Sequence, residues 1–162
     1  MKTTDEARFS LDSLDDTEEF GKSIADALVP GLTLLMNGTL GAGKTTLVSA
    51  ICRALGWNRT CSPTFALVNE YAKARIPIAH ADLYRIENAD GRDFGFDDYL
   101  DDGWVLIIEW PDRLNRRDFP ENWDVDIKAD GTSREITITA HGAAAAAALA
   151  ELRKTAHYEG HR

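Results

Sequence analysis

Apolar residues recur with two different spacings in the first third of the chain, and each spacing predicts a type of element. Phe20, Ile24 and Leu28 follow one another at four-residue intervals, which is typical of the buried stripe of an amphipathic helix. This pattern predicts a helix over residues 16–28. The next apolar run, residues 32–36, is short and of the length expected for a strand.

A glycine-rich segment follows this strand directly. It reads GTLGAGKTT over residues 38–46, and it leads into an apolar stripe of helical spacing that ends before Gly56. The order of strand, glycine-rich loop and helix is the context that a phosphate-binding loop requires.

Further short apolar runs predict strands at residues 65–71, 76–81, 104–108, 123–127 and 135–139. The first two of these flank a polar turn, which favours an antiparallel hairpin. The alanine-rich residues 143–157 predict a helix, because alanine has the highest intrinsic helix propensity. We therefore expect an α/β fold in one domain spanning residues 1–162, with a C-terminal helix and tail at 143–162.

Composition and charge narrow the possible partners. The chain has 162 residues, of which 44% are hydrophobic and 28% are charged, as in soluble globular domains. No apolar run approaches the roughly 18 residues of a membrane span, and the N-terminus lacks a secretory pattern, so we expect a cytoplasmic protein without membrane contact. The net charge of -9 opposes direct binding to DNA or RNA, and any role with RNA is expected to be indirect.

The glycine-rich segment matches the phosphate-loop pattern GxxxxGK[ST] in full. Glycines let successive backbone N–H groups converge on phosphate oxygens, a lysine at this position reaches the β and γ phosphates, and the following hydroxyl ligates magnesium. We predict that ATP and Mg²⁺ bind here, through Gly38, Gly41, Ala42, Gly43, Lys44, Thr45 and Thr46.

A carboxylate near the metal is the second requirement of such a site. Asp82 and Glu109 each follow a predicted strand, and the apolar pattern favours Glu109, although either is equally compatible with an ordinary surface acid. Thr64 lies in a segment that either reaches the γ-phosphate as a switch or is simply a turn. His80 is interpreted as a packed, hydrogen-bonded residue, and Trp110 as either core or partner-facing.

Four segments in this order and spacing, GTLGAGKTT, SPTFALVNEY, HADLYRI and IIEWPDRL, resemble the TsaE family, the ATPase of bacterial tRNA threonylcarbamoyladenosine synthesis. The resemblance covers residues 15–140. It implies a P-loop NTPase-like three-layer domain with a mainly parallel central sheet and added antiparallel strands. It also implies an ATPase that acts with a two-protein complex, which transfers the threonylcarbamoyl group to the tRNA adenosine next to the anticodon.

The resemblance also implies roles for single residues. Lys44 holds phosphate, Thr45 and Glu109 lie at magnesium, Asp82 is the strand-end acid near the metal, and Thr64 belongs to a switch-like loop. The two remaining nucleotide contacts that it implies are Thr17 and Arg134.

Thr39 is a departure, since the family loop usually has aspartate at this position. The backbone cradle does not depend on that carboxylate, so catalysis is affected more than binding. Two alternatives stay open: a small-molecule kinase, for which Arg113, Arg116 and Arg117 could supply charge over the phosphates, and a nucleotide-gated binding module with negligible hydrolysis.

Overall fold

The structure, a computed structural model, describes residues 4–58, 68–84 and 94–156. Its strands are β1 (Thr4–Leu11), β2 (Thr33–Asn37), β3 (Val68–Tyr71), β4 (Ile78–Asp82), β5 (Val105–Glu109), β6 (Asn122–Asp130) and β7 (Ser133–His141). Its α-helices are α1 (Leu14–Ala27), α2 (Lys44–Ala54), α3 (Phe96–Asp101) and α4 (Ala143–Thr155).

The seven strands form one sheet in the order β1-β7-β6-β2-β5-β4-β3. The four central strands, β6, β2, β5 and β4, run parallel. Antiparallel strands extend the sheet at both sides, with β7 and β1 next to β6, and β3 next to β4. The parallel centre with antiparallel additions confirms the expected fold class.

Both faces of the central sheet are covered, which makes three layers. Along β5, Val105 and Ile107 join a core cluster with residues of α1, α2 and α4, whereas Leu106 and Ile108 join a second cluster with Phe96 of α3. This alternation follows from the two-residue period of a strand. It explains why residues 105–108 of β5 form an uninterrupted apolar run in the sequence.

The first helix begins two residues earlier than its apolar spacing predicts, at Leu14. Ser13 is the N-cap, and its hydroxyl accepts a hydrogen bond from the Asp16 backbone N–H at 3.1 Å. Gly21 lies against α2: a Cβ at this position would be 2.6 Å from Ala50 Cβ. The two helices therefore pack closely, which holds α1 beside the glycine-rich loop.

Most predicted elements are confirmed with shifted ends, including the β3–β4 hairpin and the long β6–β7 pair. Residues 65–67 of the predicted hairpin lie outside the described residues. Strand β1 was not predicted, although Ala7, Phe9 and Leu11 alternate with polar residues and are buried. It pairs with β7 and completes the sheet edge that borders the site.

Candidate nucleotide-binding site

The glycine-rich loop connects the end of β2 at Asn37 to the start of α2 at Lys44. Gly38 has φ +154°, and a Cβ there would be 2.7 Å from the Ile127 carbonyl oxygen, so the loop needs glycine at this position. Gly43 is the N-cap of α2 and has φ +105°. It has no side chain that could accept a hydrogen bond from the first backbone N–H groups of the helix. Backbone N–H groups at the positive end of a helix are suited to bind phosphate.

Lys44 is only 5% exposed. Its ammonium donates hydrogen bonds to the carbonyl oxygens of Gly38 and Thr39, the latter at 3.4 Å, and lies 3.6 Å from the centre of the Trp110 ring. Burial lowers the pKa of Lys44, and the negative charges of Glu109, Asp82 and Asp112 partly oppose this shift. The cation is thus held inside the loop, surrounded by groups that favour its charge.

The two predicted acids lie side by side at the carboxyl ends of parallel strands. Asp82 of β4 is in register with Glu109 of β5. Glu109 Oε1 accepts a hydrogen bond from the Thr45 hydroxyl at 3.0 Å, and its Oε2 lies 2.6 Å from His80 Nε2. Burial raises the pKa of Asp82, while a hydrogen bond from the Tyr84 backbone N–H at 3.0 Å opposes the shift.

These oxygen atoms fit Mg²⁺, which prefers few protein ligands together with water and substrate phosphate. Thr45 and Glu109 supply a hydroxyl and a carboxylate at hydrogen-bond distance from each other, and Asp82 adds a second carboxylate beside them. Within residues 4–58, 68–84 and 94–156, no group of three or more His, Cys, Asp or Glu side chains could hold a metal ion alone.

A cavity of about 340 Å³ opens beside the loop. It extends from Gly43 and Thr46 to Thr17 of α1 and Arg134 of β7. The Arg134 guanidinium donates to the carbonyl oxygens of Gly131 and Ser133 at 3.2 and 3.0 Å. The other lining residues are mostly apolar: Leu11, Ser13, Leu14, Ala42, Leu47, Ile127, Gly131, Thr132 and Ile136. A cavity of this size and lining suits a nucleoside.

The structure thus brings together every predicted site residue that it describes. Thr64 lies outside the described residues. Two parts of the cavity wall were not predicted as site residues: the β1–α1 junction, and Gly131 and Thr132 of the β6–β7 turn. Thr17 and Arg134, which also line the cavity, were predicted through the family resemblance. The alternation at Ala7, Phe9 and Leu11 was the available signal for the β1–α1 junction.

One of the three arginines that a kinase could use, Arg116, is held within the fold. Arg116 forms a bidentate pair with Asp124, with bonds of 2.8 to 3.0 Å. Arg113 ends the short 3₁₀ turn Pro111–Arg113, and Arg117 is exposed on the next one. Arg116 is therefore engaged with its own fold.

The fold and this site define a P-loop protein of the α/β class. The family model described as "Threonylcarbamoyl adenosine biosynthesis protein TsaE" matches residues 11–136. The chain belongs to the TsaE family and has a role in tRNA threonylcarbamoyladenosine biosynthesis.

Relatives from two bacteria agree with this assignment. The tRNA threonylcarbamoyladenosine biosynthesis protein TsaE of Bacillus subtilis is 36% identical over 130 residues, covering 79% of this chain and 82% of the relative. That of Aquifex aeolicus is 39% identical over 106 residues, covering 64% and 75%. The crystal structure of Bacillus subtilis YdiB superposes with a TM-score of 0.77 at 29% identity, covering 94% of this chain and 97% of YdiB.

None of the helices in the described ranges has both the length and the apolar character that a bilayer crossing needs.

Proposed function

We propose that this chain binds ATP with Mg²⁺ at the P-loop and hydrolyses it, as the ATPase component required for threonylcarbamoylation of the tRNA adenosine next to the anticodon. One observation carries the proposal: the hydrogen bond between the Thr45 hydroxyl and Glu109 Oε1, beside the buried Lys44. These are the hydroxyl, carboxylate and cation that phosphoryl transfer from a P-loop nucleotide uses.

In this proposal each residue has a defined task. Lys44 exchanges its contacts with Gly38 and Thr39 for the β and γ phosphates, while Thr45, Glu109 and Asp82 hold the metal, directly or through water. Bound Mg²⁺ supplies positive charge to the phosphate oxygens. Thr64 is proposed to contact the γ-phosphate, and water is the acceptor.

The nucleoside end of ATP is proposed to occupy the cavity between α1 and β7. Thr17 and Arg134 are the polar contacts, and Leu14 and Ile136 offer apolar surface for a base. The Thr17 hydroxyl already donates to the Ser13 carbonyl oxygen at 3.3 Å, so it is free to act only as an acceptor unless that bond is exchanged.

Partners are proposed to complete the active site. Leu40 at the tip of the P-loop is 74% exposed, and Tyr84, which packs on Trp110, is 51% exposed. Tyr and Trp are enriched at protein–protein interfaces, so the Tyr84–Trp110 pair beside the reaction site supports contact with another protein. We propose that this protein is the two-protein threonylcarbamoyl-transferring complex, and that tRNA is engaged only through it, consistent with the net charge of -9.

The test is steady-state phosphate release from ATP, measured for the chain alone and after adding the partner pair. We expect the pair to raise turnover about 10-fold or more, since partner-supplied charge can contribute about 10³ or more in P-loop systems. Lys44→Ala and Glu109→Gln should remove the activity. Glu70→Gln is the matched control, because Glu70 is exposed and bonded to Tyr99 instead.

Two results would contradict the proposal and support one of the alternatives. ATP binding without phosphate release in any combination would identify a nucleotide-gated module, the alternative that Thr39 keeps open. Transfer of the labelled γ-phosphate to a small metabolite instead of water would identify a kinase.

A further inference from the structure

A series of buried hydrogen bonds lies behind Glu109. The Tyr71 hydroxyl lies 3.2 Å from His80 Nδ1, His80 Nε2 lies 2.6 Å from Glu109 Oε2, and Glu109 Oε1 accepts from Thr45. His80 is 0% exposed, Glu109 2% and Tyr71 3%. Both oxygens of the carboxylate are therefore fixed, one by the P-loop hydroxyl and the other by a histidine.

Strand geometry brings these side chains to one face of the sheet. Successive side chains of a strand point to opposite faces, so His80 and Asp82 share one face of β4. Tyr71, Ile78 and Ile107 belong to the core cluster on the side of α2, which identifies this face. Glu109 shares the face with Ile107, two residues before it on β5.

The direction of the bonds follows from the chemistry of the groups. A carboxylate only accepts, so the short contact requires His80 to donate its Nε2–H to Glu109. The Tyr71 hydroxyl can donate to Nδ1, which selects the Nε2–H tautomer. Both ring nitrogens of His80 are thus used within the protein and neither is directed to a nucleotide.

We propose that His80 is a positioning residue for the metal: it holds Glu109 in the orientation that presents Oε1 to the Thr45 hydroxyl and to Mg²⁺, and Tyr71 orients its ring. The proposal rests on the proposed function, in which Glu109 lies at magnesium. Groups that orient a metal-binding side chain typically contribute 10- to 100-fold to metal affinity or activity.

A purely structural His80 would only stabilise the buried charge of Glu109. Its replacement would then lower the melting temperature but leave the Kd for ATP in EDTA and the Kd for ATP in Mg²⁺ both unchanged from the parent. The distinguishing quantity is the magnesium gain, defined as the ratio of the Kd for ATP in EDTA to the Kd for ATP in saturating Mg²⁺. It is measured by calorimetry on the purified chain and needs no turnover.

The variants form a matched pair. The longer side chain of His80→Gln can place its amide nitrogen near the position of Nε2, within reach of Glu109. The shorter side chain of His80→Asn places its amide nitrogen near the position of Nδ1, on the side of Tyr71, where it cannot reach Glu109. We expect His80→Asn to reduce the magnesium gain about 10-fold while the Kd in EDTA changes by less than about twofold. His80→Gln should keep the gain within about threefold of the parent. Equal gains in His80→Asn and the parent would overturn the proposal.

Two further variants keep the test decisive. If His80→Asn does not fold by circular dichroism, Tyr71→Phe replaces it, because the ring stays and only the hydroxyl is lost. We expect a roughly threefold smaller gain, and an unchanged gain would overturn the proposal. Glu109→Gln distinguishes the positioning role of His80 from the metal site itself. If Glu109→Gln loses the magnesium gain and the His80 and Tyr71 variants keep it, only the positioning role fails. If Glu109→Gln keeps the gain, the proposed metal site fails too.

Discussion

The Lys44 ammonium lies 3.6 Å from the centre of the Trp110 indole ring, so the P-loop cation is in contact with the residue that directly follows Glu109. Trp110 has φ +59° and is the single non-glycine residue with positive φ in the part of the chain that the structure describes. Such a conformation is strained for a bulky side chain. The ring centres of Trp110 and Tyr84 are 4.8 Å apart, so we expect a movement of Lys44 to alter the surroundings of the surface that these two rings form, a coupling through the cation–π contact.

ATP is predicted to change the fluorescence of Trp110. Phosphate attracts the Lys44 ammonium away from the ring, which changes the charge next to the indole. Addition of Mg-ATP to the chain should therefore shift the tryptophan emission. Trp110→Phe should lose most of this shift, whereas Trp104→Phe, which alters a residue packed on Tyr99, should keep it. Equal shifts in both variants would contradict the coupling.

Gly38→Ala is predicted to destabilise the fold more than Gly41→Ala. A Cβ at Gly38 would be 2.7 Å from the Ile127 carbonyl oxygen and 3.3 Å from Ala42 Cβ, whereas at Gly41 no atom lies within 4 Å among the described residues. Gly41→Ala should lower the free energy of unfolding only by the backbone strain of an alanine at φ +81°, about 1 to 2 kcal/mol. Gly38→Ala should lower the free energy of unfolding by about 3 kcal/mol or more. Urea denaturation of both variants measures the difference, and equal losses would mean that β6 can shift away from the loop.

Arg134→Met is predicted to weaken ATP binding about fivefold, as expected for loss of a hydrogen bond worth about 1 kcal/mol. A Cβ at Gly43 would lie 3.6 Å from Arg134 Nε, so the guanidinium is close to the P-loop as well as to the cavity. The control is Arg8→Met, which removes an exposed arginine on the same sheet edge. Calorimetric titration with Mg-ATP should show the loss only for Arg134→Met. The same Kd for both variants would remove Arg134 from the site.

The sequence predicts the P-loop because its signal is local: strand, loop and helix are consecutive, and each has its own pattern. The cavity proposed for the nucleoside has no such local signal, and only the family resemblance pointed to Thr17 and Arg134. The cavity is assembled from the β1–α1 junction and the β6–β7 turn, which are more than 100 residues apart in the chain and meet only because β1 pairs with β7.

For His80, the sequence predicted the environment of the side chain but not its hydrogen-bond partner. Its interpretation as a packed, hydrogen-bonded residue agrees with its burial and its two contacts. Its partner could not be predicted, because Glu109 lies 29 residues further along and the β4–β5 register decides which side chains meet.

Whether nucleotide chemistry at Lys44 serves tRNA modification is tested most directly by a reconstituted threonylcarbamoylation reaction. It contains tRNA, the transferring pair from the organism that encodes this chain, the threonylcarbamoyl donor, ATP and Mg²⁺. The modified nucleoside is quantified by mass spectrometry after digestion of the tRNA. We expect repeated turnover when the parent chain is present, and at least about a 10-fold smaller yield with Lys44→Ala. Equal yields with the parent, with Lys44→Ala and without the chain would contradict the proposed function.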